Sequence, residues 1–492
     1  MEKKYVLAID QSTQGTKAIL FDKAGNMTCR TEISHRQIIS DKGWVSHDLD
    51  EIYENVIGAA KGVVEKAGIA KEEIACLGLS NQRETSAAWD RKTGVPLAPA
   101  IVWQCSRAEE ICLRVKDIGN AEEIRQKTGI RLSPYFPAAK YAWLIQNSDN
   151  VRKAKAEGRL CLGTIDSYLL FRLTGGKVFS TDYSNASRTQ LFNIHTLKWD
   201  GEICGLFGVP TESLPKVCDS AFKYGETSFE GFFADPIPIC GVIGDSQGAL
   251  FGQCCVKKGM VKATYGTGSS VMMNIGEKAV MSDKGLVTSL AWGINGKVTY
   301  VLEGNINYTG AVISWLKDEI GLISSPDETQ ELAQGANPKD TAYLVPAFSG
   351  LGAPYWKTDA RALLCGMSRT TGKKEIVKAA LESIAYQITD IIEMMQSEGI
   401  EVSELHADGG PTKNQYLMKF QSDISEKVVC MPRCEASSAF GAGLLGGLAC
   451  GFYSESEVLK IGCVKRFFPS LSHSERTEKY SGWKEAVRKA VG

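Results

Sequence analysis

Histidine is scarce in this chain: five in 492 residues, at positions 35, 47, 195, 406 and 473, with no two at the H-x-x-x-H or similar spacing of a metal pair. No structural metal is expected on that count. The fifteen cysteines are odd in number, scattered and never spaced C-x-x-C, which argues against a disulfide framework or a zinc ribbon. Reduced, mostly buried thiols are the expectation. Also missing is any apolar run of the ~18 residues a spanning helix requires. Met1-Glu2-Lys3-Lys4 leads straight into an apolar strand without the h-region of a signal peptide. A cytoplasmic protein, neither exported nor membrane-anchored, is expected. Nor is there an excess of one charge: 56 Lys and Arg stand against 57 Asp and Glu, so no strong field gathers nucleic acid or an anionic membrane surface. A small molecule is the expected partner, and a homo-oligomer, dimer or tetramer, is compatible with that.

The stretch that organises the rest runs from Gly241 to Gly268. An apolar, β-branched run, Ile237 to Ile243, reads as a strand and delivers Gly244-Asp245-Ser246-Gln247-Gly248, after which Thr264-Tyr265-Gly266-Thr267-Gly268 follows. Asp245 is thereby placed at a strand end, where α/β folds gather their ligands. A loop of the same character opens the chain. Tyr5 to Ile9 and Ala18 to Phe21 read as two strands of a hairpin whose tip holds Asp10-Gln11-Ser12-Thr13-Gln14-Gly15-Thr16-Lys17. Small residues there aim backbone N–H groups and hydroxyls at one spot, which suits a phosphate. Asp10 would repel phosphate directly, so its functional reading is to hold Mg²⁺ through water. No G-x-x-x-x-G-K-[ST] pattern is present, and a strand rather than a helix follows, so this is not a Walker loop.

Leu49 to Lys66 carries apolar residues at helical spacing. Ala75 to Leu79 reads as a strand running into Ser80-Asn81-Gln82-Arg83-Glu84-Thr85, which offers a hydroxyl-rich ligand both a donor and an acceptor. Ala100 to Trp103 reads as a further buried strand, and a helix is predicted after Pro137. The second half repeats the plan, with a strand from Met260 to Thr264, the Gly-rich loop, and a return strand from Val271 to Ile275. A long helix over Glu375 to Met395 and a strand over Leu405 to Ala407, leading to Asp408-Gly409-Gly410, follow. Two such strand–loop–strand units imply a duplicated architecture gripping a nucleotide between halves, with domains at 1–252 and 253–492.

Two spaced signatures carry a resemblance. One is Tyr135-Phe136-Pro137-Ala138-Ala139-Lys140-Tyr141-Ala142-Trp143-Leu144-Ile145-Gln146-Asn147; the other is Gly366-Met367, a seven-residue gap, Glu375-Ile376 and Ala379-Ala380-Leu381-Glu382. With Ser187-Arg188-Thr189 and Ser349-Gly350-Leu351-Gly352-Ala353-Pro354-Tyr355-Trp356 in order between and around them, the chain resembles the FGGY carbohydrate kinases over nearly its whole length. The resemblance implies the two-domain α/β actin-like, ribonuclease-H-like ATPase fold closing on ATP and Mg²⁺. It implies phosphorylation of a primary hydroxyl of a small polyol, glycerol first, with a tetritol or small ketose as the alternative. An actin- or chaperone-like ATPase is the rival, and it would have no use for the acid, Arg and aromatic set described next.

Residue by residue, the resemblance implies Asp245 as catalytic base, Arg83, Glu84 and Tyr135 as hydroxyl ligands, and Trp103 against the carbon skeleton. The two phosphate loops fall on Thr13, Gln14, Gly15 and Lys17 and on Gly266 and Thr267; the adenosine end falls on Gly310, Gly410 and Asn414. Lys17 stands where Arg is common, keeping charge but losing the guanidinium fork. Larger departures are Ser246 and Ser270, where glycerol-phosphorylating members usually carry Gln and Phe. A roomier pocket with two extra hydroxyls is the consequence.

Overall fold

The computed structural model describes residues 2–460 and 463–492. The first sheet is built from β1 (Tyr5–Gln11), β2 (Gly15–Asp22), β3 (Met27–Ser34), β4 (Ile74–Asn81), β5 (Ala221–Thr227) and β6 (Ile237–Gly244). Their order is β5-β6-β4-β1-β2-β3, with β1, β4 and β6 parallel and β1-β2-β3 an antiparallel meander. The central strands are buried on both faces, which is why they read as continuous apolar runs rather than alternating ones. Helix α1 (Leu49–Ala67) covers one face with nine buried residues; Asp48 caps its start by accepting from the Asp50 and Glu51 N–H groups, and Gly68 ends it in the left-handed region at φ 64°.

The second sheet uses β7 (Met260–Tyr265), β8 (Ser269–Gly276), β9 (Val287–Ile294), β10 (Lys297–Ile306), β11 (Glu404–Asp408), β12 (Val428–Met431) and β13 (Lys465–Phe467), in the order β9-β10-β8-β7-β11-β12-β13. Here β7, β11 and β12 run parallel while β7 and β8 form the hairpin, so the plan around β1, β2, β4 and β6 recurs. Between β4 and β5 lies a long insertion whose helix α2 (Pro137–Asn147) begins with proline at its first position. Later helices are α3 (Asp245–Gly252), α4 (Gly310–Asp318), α5 (Lys373–Gln396), α6 (Gln415–Ser425), α7 (Ser437–Ala449) and α8 (His473–Val491).

Helix α7 comes late in the chain yet packs on β4, β6 and α3 of the first half. The contact is backbone on backbone. A Cβ on Gly78 would stand 2.2 Å from the Ala442 carbonyl oxygen, and one on Gly441 would stand 1.9 Å from that of Gly248.

Three local expectations are revised. The Ala100–Trp103 strand is paired only at Ala100–Ile101, because Trp103 turns out of the ladder: its N–H goes to Thr85 Oγ1 at 3.3 Å and its carbonyl accepts from Lys140 Nζ at 3.2 Å. Asp245 is not a strand terminus but the first residue of α3, which begins there rather than near Gly248. Asp10 likewise sits within β1, whose ladder continues to Gln11. Ten of the fifteen cysteines are buried. Among the described residues, no helix is long and apolar enough to cross a membrane.

Candidate active site

At the C-terminal ends of β4 and β6 the first sheet delivers a buried ionic cluster. Arg83, just past β4, places Nε 3.1 Å from Asp245 Oδ1 and 3.6 Å from Glu84 Oε1. Its two terminal nitrogens each donate to one oxygen of Glu303 at 3.3 Å, a bidentate fork. Arg188 completes the ring, donating to Glu84 Oε1 at 2.7 Å and to Glu303 Oε2 at 2.9 Å. Burial opposes ionisation of Glu303, but Arg188 and Arg83 outweigh it and hold its carboxyl down at about 2. Burial pushes the Asp245 carboxyl upward, Arg83 pulls it back, and the Glu84 charge raises it again. The Asp245 side chain keeps 37% of its exposure, against 6%, 4% and 2% for Arg83, Glu84 and Glu303, so it is the most open member of the cluster.

An aromatic wall adjoins this cluster. The Trp103 and Tyr135 rings lie 5.6 Å apart at 59°, and Trp103 Nε1 donates to Thr13 Oγ1 at 2.9 Å. Lys140, fully buried on α2, ties the wall down by donating to the carbonyls of Glu84 and Trp103 at 3.2 Å each, and to that of Tyr135. Burial lowers the Lys140 ammonium to about 7 despite the nearby Glu84.

The opening hairpin turns within four residues, the Ser12 N–H and hydroxyl both donating to the Gly15 carbonyl at 2.9 Å. A side chain at Gly15 would put its Cβ 2.7 Å from the Ile33 carbonyl oxygen. Thr13 is half-buried and Gln14 exposed at the tip, while Lys17 faces Asp10 across the hairpin with Nζ 3.9 Å from Oδ2. Burial drives the Asp10 carboxyl up to about 6 against the pull of Lys17, and its Oδ1 is buried without a hydrogen-bond partner. An unsatisfied carboxylate oxygen beside a hairpin of small residues fits a hydrated Mg²⁺.

In the second half, Gly266 and Thr267 are exposed at the tip of the β7–β8 loop. The loop is seated on the start of α4: Gly310 N–H donates to the Gly266 carbonyl at 2.8 Å and Ala311 N–H to that of Thr267 at 3.0 Å. Gly310, Gly410 and Asn414 line one cavity of about 510 Å³ together with Ile313, Thr329 and Gln330. Asn414 caps α6, accepting from Leu417 N–H at 3.0 Å, and donates to Thr329 Oγ1 at 3.0 Å. Ser246 follows Asp245 on α3 and donates its N–H to Asp245 Oδ1 at 2.6 Å. Ser270 pairs with Asn305 as Met272 pairs with Glu303, so it shares the Glu303 face of the second sheet; its Oγ is buried without a hydrogen-bond partner.

The structure thus gathers Arg83, Glu84, Trp103, Tyr135 and Asp245 around the hairpin tip, and Gly310, Gly410 and Asn414 around a separate cavity. Sequence reasoning gave no role to Glu303, Arg188, Lys140 or Gln247, whose amide oxygen accepts from Arg83 Nη1 at 3.3 Å. A lone acid inside the apolar run of β10 was the available signal for Glu303.

Two α/β halves of repeated plan, each with a Gly-containing hairpin, and an ionic, aromatic-walled cleft at the strand ends define an ATP-dependent kinase of the actin-like fold. The chain belongs to the FGGY family of carbohydrate kinases: the N-terminal domain of that family matches residues 5–252 and its C-terminal domain residues 261–450. The chain is 47% identical over 492 residues to glycerol kinase 2 of Thermotoga maritima, covering 99% of each, and 45% identical to glycerol kinase of Xanthomonas campestris, covering 100% and 99%. The glycerol kinase of Plasmodium falciparum, solved with ADP, superposes with a TM-score of 0.94 at 35% identity, over 100% of this chain and 99% of that one.

Proposed function

We propose that the enzyme transfers the γ-phosphoryl group of ATP to a primary hydroxyl of glycerol, forming glycerol 3-phosphate. The observation that carries this is the Arg83–Glu84–Asp245 cluster set beside the Trp103–Tyr135 wall, in a chain close to half identical to glycerol kinases. Arg83 donates to and Glu84 accepts from the substrate hydroxyls, while the aromatic rings cover its carbon edge. An alcohol ionises far above neutral pH, so Asp245 takes the proton as the oxygen attacks phosphorus. Arg83, 3.1 Å away, favours the charged form of that carboxylate against its burial and aims it. The two hairpins, through Thr13, Gln14, Gly15, Lys17, Gly266 and Thr267, hold the phosphates from both sides, and the cavity at Gly310, Gly410 and Asn414 takes the adenosine. Asp10 would hold Mg²⁺ through water, and the ion would neutralise phosphate charge.

A second reading, a tetritol or small ketose, is favoured by the orphaned Ser270 Oγ and the neighbouring Ser246. Hydroxyls left without partners discriminate against a substrate too short to reach them. The test is a set of specificity constants for glycerol, erythritol, threitol, erythrulose, xylulose and ribulose by coupled ADP release, for the parent and Ser270→Phe. Glycerol ahead by orders of magnitude in the parent supports the first reading; a longer substrate ahead, and suppressed by Ser270→Phe, replaces it with the second. ADP release indifferent to every polyol would sink both.

A further inference from the structure

On the Glu303 face of the second sheet, three metal-ligating side chains converge, with a fourth, Cys463, beside them. Glu404 and His406 lie on β11 two residues apart, hence on one face, and Cys430 of β12 is the register partner of His406. His406 Nε2 stands 3.2 Å from Glu404 Oε2, Cys430 Sγ stands 3.7 Å from the same oxygen, and the three donor atoms all lie within 4.8 Å of one another. Cys463, just ahead of β13, lies beside this group and accepts from Arg466 Nε at 3.1 Å. Donors on a tetrahedral zinc ion, with bonds of ~2.0–2.3 Å, stand roughly 3.3–3.8 Å apart. The Glu404–His406 and Glu404–Cys430 pairs, at 3.2 and 3.7 Å, are already close to that.

We propose that Glu404, His406, Cys430 and Cys463 form a structural binding site for a divalent zinc-type cation. The donor set, one carboxylate, one imidazole and two thiols, is that of a borderline-soft metal rather than of Mg²⁺ or Ca²⁺. His406 is 5% exposed, with its Nε2 turned to Glu404. Charge balance supports the assignment. Two thiolates and the Glu404 carboxylate carry three negative charges; a divalent cation neutralises two, and Arg466, which donates to Glu404 Oε1 at 3.2 Å and to Cys463 Sγ at 3.1 Å, neutralises the third. Both thiols give up their protons on binding, so two protons leave per cation. The cation ties the segment ahead of β13, and through it α8, to the centre of the sheet. Sequence spacing alone concealed the site, since its ligands come from three strands or strand edges and only Glu404 and His406 are near neighbours. The inference stands independently of the kinase reading.

The test is titration of the full chain, held reduced with a phosphine and free of nucleotide, with Co²⁺ as spectroscopic probe. One equivalent should bind with a thiolate-to-cobalt charge-transfer band, Zn²⁺ should displace it, and the melting temperature should rise with Zn²⁺ concentration. Loss of a direct ligand should weaken binding by at least the ~10–100-fold that second-shell changes cause. Cys430→Ser should therefore bind more than tenfold more weakly and lose about half the band. Cys463→Ser and Glu404→Gln, at partly exposed positions, give the same reading if the buried variant does not fold. No thiolate band at one equivalent, or affinity unchanged in these variants, overturns the proposal.

Discussion

Trp103 Nε1 hydrogen-bonds to Thr13 Oγ1 at 2.9 Å, so the wall of the proposed polyol pocket and the tip of the proposed phosphate hairpin are one connected unit. Removing either partner should loosen both ligands together. A double-mutant cycle with Trp103→Phe and Thr13→Val, read in kcat/KM, should give a coupling of about 1 kcal/mol, the net worth of a neutral hydrogen bond. Additive effects would show that the two groups act separately.

Asp245→Asn keeps the side-chain shape but removes the proton acceptor. Turnover should fall roughly 10²–10⁴-fold, the range for loss of a general base, with nucleotide affinity largely kept. Steady-state kinetics beside ADP titration calorimetry checks this; a variant within a few-fold of the parent denies Asp245 the role.

Glu303 from the second half is clasped by Arg83 and Arg188 from the first. Glu303→Gln leaves two guanidinium groups buried with Glu84 and Asp245 as their remaining carboxylates, and breaking a buried ion cluster in this way costs about 3–5 kcal/mol. Denaturant unfolding should show that loss. Adding Arg188→Gln should recover part of it, because the uncompensated positive charge leaves with the side chain.

His47 is fully buried, its ring 4.6 Å from that of His35 and nearly perpendicular to it. Burial, reinforced by His35, lowers its imidazolium to about 4 from the model-peptide value of 6.5. In the acid range the unfolded chain binds a proton that the folded chain refuses. The stability is therefore complete above about pH 6.5 and is lost as pH falls from there toward 4, to a total of about 3 kcal/mol. The parent and His47→Gln, compared by denaturant unfolding between pH 7 and 4.5, should differ less and less as pH drops.

The parts of this protein written locally were legible in the sequence. The hairpins at Asp10–Lys17 and Thr264–Ser270, and the polar ends of β4 and β6, follow from apolar runs meeting Gly, Ser and Thr, and those runs read as continuous because both faces are covered. Asp245, Arg83 and Glu84 could be singled out for the same reason. Glu303 and Arg188 could not: their contacts span 220 and 115 residues, and nothing near either reveals the partner. Trp103 was misplaced in a strand because an apolar tetrapeptide looks alike whether its last residue continues the ladder or turns away to meet Thr13. The helical start at Asp245 was missed since Gly244-Asp245-Ser246 lacks a hydroxyl or carboxamide cap ahead of it; the preceding Gly244 offers no side chain to signal the turn.

The seam where α7 meets β4, β6 and α3 has a mechanical consequence. Main chain lies against main chain at Gly78, Gly248 and Gly441, while Phe440, Leu444 and Leu445 of the same helix are buried beside these points. No flexible side-chain tip can yield where backbone meets backbone, so the single methyl of Gly441→Ala, 1.9 Å from the Gly248 carbonyl oxygen, would force the helix off α3 without touching any residue of the cleft.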